Sequence, residues 1–138
     1  MREFLSTVLI SGLGFFLLVC PALAHHSFAA EYDSTKPIDI TGAVTKVEWM
    51  NPHIYFYVNV RGATGKTSNF AIEGGSPNAL RRQRWGKNSI HVGEVITVSG
   101  FRAKNGSNTV NAVSISLPDG STLFAGSSYD IDGPRKAK

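Results

Sequence analysis

The chain has 138 residues, a single cysteine, 42% hydrophobic residues and a formal net charge of +4. That length holds one hydrophobic core and excludes two full ones. A lone thiol excludes a disulfide framework, so packing has to stabilise the fold.

Residues 1–24 read as an export signal. Arg2 gives a positive start, residues 4–19 are apolar apart from Ser6, Thr7, Ser11 and two glycines, and Ala22-Leu23-Ala24 offers small residues to a signal peptidase. The run is short for a membrane span and a cleavage site follows it, so removal is expected and no span remains afterwards. A lipidated Cys20 is disfavoured by Val19, where a small residue normally stands. Cleavage removes Cys20, while Arg2 and Glu3 leave together and keep the charge unchanged. A basic balance can draw a nucleic acid, but export argues against one, and the charge then reads as solubility. The expected compartment is periplasmic or extracellular.

Residues 25–37 form a polar lead-in, with Phe28 and Tyr32 as anchors onto the fold. Residues 38–50 and 53–61 read as two strands joined at Asn51-Pro52. In the second, Ile54, Phe56, Val58 and Val60 alternate with His53, Tyr55, Tyr57 and Asn59. Such alternation marks a strand with one buried face, leaving His53, Tyr55 and Tyr57 in a row on the other. In the first strand the apolar phase moves from even positions (Ile38, Ile40, Val44) to odd ones (Val47, Trp49), which predicts a bulge near Thr45-Lys46.

A turn at residues 62–65 leads to a third strand over 66–73, with Phe70 and Ile72 inward. Ser76-Pro77 is a helix start, because serine accepts the orphan amides and proline loses nothing at the first helical position. The helix is expected to run through Trp85 and stop at Gly86, with Ala79, Leu80 and Trp85 inward and Arg81, Arg82 and Arg84 outward. Further strands follow at residues 94–101 and 109–117, joined through the hairpin signal Asn105-Gly106. The turn Leu117-Pro118-Asp119-Gly120 precedes an edge piece at 121–124, and residues 125–138 read as a flexible basic tail. Three strands, a short helix and two more strands are the order of an OB-like five-stranded barrel, here over residues 38–124. A Greek-key sandwich needs more strands than are present.

Five motifs carry a family resemblance: HHSF at 25–28, WMNPH at 49–53, EGGSPNALRR at 73–82, GFRAKNGSN at 100–108 and LPDG at 117–120. Together they resemble an uncharacterised family of small exported bacterial proteins, a domain of unknown function. The resemblance implies an exported bacterial protein and brings no activity, substrate or catalytic residue with it.

Two constellations point to binding. After cleavage, His25 would present a free α-amine and a ring nitrogen that chelate one metal together, with His26 or His53 adding an imidazole. The amine's ordinary pKa of about 8 lets a metal displace its proton near neutral pH. Nitrogen donors in that arrangement favour copper(II), as in the histidine brace of exported copper proteins, and Met50 is a weaker thioether candidate. The competing reading is a flexible polar start, with His53 donating to a carbonyl at the turn and His91 in a surface loop. The second constellation is the outward row His53, Tyr55 and Tyr57, with Trp49 beside it, which suits a glycan or peptide stacked on aromatic faces. Tyrosines also favour strands for their own sake.

Ser76 to Arg82 after two glycines could bind an anion, but a helix cap explains it better, since the P-loop lysine and spacing are missing. No serine sits in a nucleophile elbow, no HExxH is present, and nothing in the spacing of Glu31, Asp33, Glu48 and Glu73 assembles them. The expectation is a non-enzymatic exported binding module, for copper, for a glycan or peptide, or as a structural accessory of a periplasmic assembly.

Overall fold

The computed structural model describes residues 28–126. The expected signal segment, His25, His26 and the tail beyond residue 126 lie outside the described residues. A four-residue helix, α1 (Phe28–Glu31), runs directly into β1 (Tyr32–Glu48). Then come β2 (Tyr55–Arg61), β3 (Thr67–Glu73), α2 (Pro77–Arg82), β4 (Val95–Ala103), β5 (Thr109–Ser116) and the short β6 (Thr122–Phe124).

The long first strand serves two neighbours. Its first half pairs antiparallel with β4, from Pro37 opposite Phe101 to Ala43 opposite Val95. Its second half pairs with β2, from Ala43 opposite Asn59 to Glu48 opposite Tyr55. The predicted bulge is present: the register shifts between Val44 and Lys46. Thr45 is the extra residue, and its hydroxyl donates to the Tyr57 carbonyl at 3.3 Å. At Gly42 the strands approach so closely that a β-carbon would overlap the Asn59 carbonyl.

β2 and β3 form a hairpin, and β3 pairs in parallel with β5 through Ala71, Ile72 and Glu73 opposite Thr109, Val110 and Asn111. Since β5 also pairs with β4, the strands β1-β2-β3-β5-β4 close into a ring. Past its contact with β3, β5 turns the same edge to β6.

The in–out assignment of β2 holds. Ile54, Phe56 and Val58 are buried with Ile72, Val98, Val110 and Ile115, while Tyr55 and Tyr57 are half-buried and Asn59 is exposed. Each fully buried aliphatic or Phe side chain contributes about 1.5–3 kcal/mol, so this face fixes the register of the whole ring.

Two expectations need correction. The first strand starts at Tyr32, six positions before the predicted residue 38, because Tyr32 pairs with Ala103 across an irregular stretch that ends at Pro37. The helix has its predicted cap, with the Ser76 hydroxyl accepting from the Ala79 amide at 3.3 Å, but it ends at Arg82 rather than Trp85. Arg84, not Gly86, adopts the left-handed backbone at φ 68°. That reversal lets the Trp85 amide bond the Leu80 carbonyl at 3.0 Å while the indole enters the core beside Leu80. Gly86 is left without that role.

Candidate functional site

The tyrosine face lines an open cleft of about 720 Å³. Its floor runs across three strands: Tyr57 stands opposite Ala71, and Ala71 opposite Thr109. Ala71 is the small residue that leaves the floor hollow beside the two tyrosines. The cleft's walls include the end of α1, with Ala30 and Glu31, and the adjoining β4–β5 turn, with Lys104, Asn105 and Ser107. The walls are tied together, since the Lys104 amide bonds the Glu31 carbonyl at 2.8 Å and its Nζ donates to the Ala29 carbonyl at 2.5 Å. Phe28 anchors α1 by stacking on Tyr32 (5.6 Å between ring centroids) and meeting Phe101 edge-on (5.5 Å).

On the same face, next to Tyr55 and outside the cleft lining, sits Glu73, only 6% exposed. Cross-strand pairing sets it opposite Tyr55. Its Oε2 accepts the Tyr55 hydroxyl at 3.0 Å and the Tyr32 hydroxyl at 2.5 Å. His53 donates from Nδ1 to the Gly74 carbonyl at 3.1 Å, and Glu73 Oε1 lies 3.4 Å from the same nitrogen. A buried carboxylate needs such donors, because an unpaired one carries a heavy desolvation cost. Burial first, and Glu73 second, push the Tyr32 and Tyr55 phenols well above their ordinary range. Both are therefore neutral donors at physiological pH.

Tyr57 is held from the other side. Its hydroxyl donates to Glu48 Oε2 at 2.9 Å, and this bond raises the phenol's pKa. Lys46 pairs with Glu48 and sits 5.4 Å from the Tyr57 ring centroid. The Lys46 contact, then the Tyr57 hydroxyl, hold the Glu48 carboxyl below its ordinary range. Tyr55 and Tyr57, like Tyr32 beside them in the lining, are thus fixed at their hydroxyl ends by carboxylates.

The sequence-predicted residues divide. Tyr55 and Tyr57 share the cleft, joined by the exposed Met50 at its rim. His53 precedes β2 rather than starting it and lies outside the cleft lining, making the carbonyl contact expected of the turn reading. Trp49 leaves the row: with Val47 opposite Phe56 after the bulge, odd positions of β1 face inward, and Trp49 packs against the core beside Trp85. Glu48 takes the outward place instead. His91 lies in a surface loop and meets Glu94 at 2.9 Å. Among the described residues no three His, Cys, Asp or Glu side chains gather to hold a metal ion. Sequence reasoning did not place Glu73, Tyr32, Ala71 or the Lys104 turn in the site; the alternation that turns Phe70 and Ile72 inward was the signal that put Ala71 and Glu73 on the opposite face of β3.

Among the described residues no helix is long and apolar enough to cross a membrane. Comparison with curated proteins finds no match. A family model described as a family of unknown function, DUF6152, matches residues 15–112, a span holding every residue that lines the cleft, and the chain belongs to that family.

Proposed function

We propose that this protein is an exported, non-enzymatic binding module of the periplasm or cell exterior, built on an OB-like barrel, that holds its ligand in the tyrosine cleft. The observation that carries this reading is the fixing of Tyr55 and Tyr57 by Glu73 and Glu48 on the floor of an open cleft. Rings locked by packing and hydrogen bonds lose little freedom when a ligand stacks on them, which favours affinity. The closed order β1-β2-β3-β5-β4, with a helix between β3 and β4, supports the OB-like reading. On such barrels the face of the second and third strands, flanked by the β1–β2 and β4–β5 loops, is the usual ligand surface. The Tyr32 and Tyr55 phenols, raised above their ordinary range by burial and Glu73, stay protonated at neutral pH and hold their rings in place as donors to Glu73.

The test compares wild type with the Tyr55→Ala, Tyr57→Ala double variant for binding to polysaccharide, peptide and lipid fractions of the producing cell's envelope. Loss of one interaction in the double variant supports the reading. Identical binding profiles would make the face scaffolding.

A second reading, copper binding by the processed His25 amine and ring with His26 or His53, rests on the sequence pattern at residues 22–26. Copper titration of the processed protein beside a form carrying one extra N-terminal residue tests it, since the extension abolishes the terminal chelate.

A further inference from the structure

The cleft's charges bear on what it accepts. Lys46 is paired to Glu48 across the Tyr57 ring, Lys104 Nζ is bound to the Ala29 carbonyl, and Glu73 accepts the Tyr32 and Tyr55 phenols. Glu31, the remaining carboxylate of the lining, stands on the wall that Lys104 ties down. Two carboxylates and one lysine line the cleft, with the Lys46 ammonium beside them, so the charges nearly balance although the chain as a whole is at +4. Single-stranded nucleic acid on such a face requires a positive groove that tracks its phosphates. Glu31 and Glu48 stand where that groove would run. A polycation meets Lys104 and the Lys46–Glu48 pair and gains no uncompensated partner.

Besides these charges the cleft presents the rings of Tyr55 and Tyr57, about 7 Å apart along one strand face, and the neutral side chains of Asn105, Ser107 and Thr109. Among these, Asn105 Oδ1 accepts the Ser107 amide at 2.9 Å and the Ser107 hydroxyl donates to Thr109 Oγ1 at 3.1 Å. Resting on the cleft reading above, we infer that the ligand is an uncharged saccharide chain. The rings would stack on the apolar faces of successive sugars, while the β4–β5 turn and the Glu31 and Glu48 oxygens meet their hydroxyls. Its open shape suits a chain passing through rather than an enclosed small molecule.

The experiment titrates the protein as exported by its host with cellohexaose, chitohexaose and maltohexaose, alongside a twelve-nucleotide thymidine oligomer and a lysine-rich peptide, by calorimetry. The expected result is binding of at least one hexasaccharide, unchanged between low and high salt, and weakened at least tenfold by Tyr57→Ala. Tyr57→Phe, which keeps the ring, should lose less than Tyr57→Ala, and thermal melts confirm that both variants fold. Binding of the oligonucleotide or peptide in place of the sugars, with the same sensitivity to Tyr57→Ala, overturns the saccharide inference and leaves the cleft reading standing. No binding by any probe, or binding indifferent to both tyrosine variants, overturns both.

Discussion

Replacing Glu73 by alanine should damage the fold more than its place on an outward-facing strand position suggests. The carboxylate accepts the Tyr32 hydroxyl at 2.5 Å and the Tyr55 hydroxyl at 3.0 Å. Tyr32 is 4% exposed, so its stranded hydroxyl cannot turn to water, whereas the half-buried Tyr55 can. One buried unsatisfied donor costs about 1–3 kcal/mol and a hydrogen bond to a charged group contributes about 1.5–3 kcal/mol. With partial relief at Tyr55, the expected loss is about 2–4 kcal/mol. At about 4–8 °C per kcal/mol for a domain of this size, the melting temperature falls on the order of 10–30 °C. Urea unfolding at pH 7 reads the loss as a lower midpoint at unchanged slope. The sharper test adds Tyr32→Phe. In the Glu73→Ala background this second change removes the stranded hydroxyl and should restore about 1 kcal/mol, while on its own it destabilises. If Glu73→Ala stays within about 0.5 kcal/mol of wild type, or the two costs simply add, the account of the buried network is refuted.

Alkaline pH should unfold the protein from above pH about 10, the ordinary tyrosine value. The folded-state pKa values of Tyr32, Tyr55 and Tyr57 are raised, so the folded chain holds extra protons there and stability falls as pH rises, with no such change below. Absorbance at the tyrosinate band, followed with circular dichroism, checks that Tyr32 ionises only as the fold is lost. Gly42→Ala should cost about 1–3 kcal/mol, because the new methyl overlaps the Asn59 carbonyl and comes within 2.8 Å of Val58 Cγ1 where β1 passes between its two partners; chemical denaturation measures it. Ser76→Ala should cost about 1 kcal/mol by removing the acceptor for the Ala79 amide, seen in the same assay. One residue added before His25 should lower copper affinity sharply; equal affinity of the two forms rules out the chelate.

Much of the fold was legible because one face of each strand is buried. Phe56 and Val58 announced the inward face of β2, and the phase change around Thr45 announced the bulge. The site was less legible because it depends on register. A four-residue turn at 62–65 would pair Arg61 with Lys66 and set Ile72 opposite Tyr55. In the structure Gly62 also pairs, donating to the Lys66 carbonyl at 2.9 Å, and that single step brings Glu73 to Tyr55 instead. A one-residue difference in a turn exchanges the two faces of a strand, and no local propensity reports it. The bulge likewise decided Trp49: once Thr45 is the extra residue, Glu48 faces the tyrosines and Trp49 faces the core. The extension of β1 back to Tyr32 rests on pairing with a strand more than sixty positions away and on Phe28 stacking, neither of which leaves a local pattern.

The most direct measurement of the central claim uses ring-labelled tyrosine in the exported protein, with nuclear magnetic resonance signals followed as soluble envelope polysaccharide from the producing cell is added. The account predicts that the Tyr55 and Tyr57 rings shift together and saturably, while Tyr32, which borders the cleft but is only 4% exposed, moves far less. Saturable binding that shifts the indoles of Trp49 and Trp85 and leaves both cleft tyrosines unmoved would contradict it.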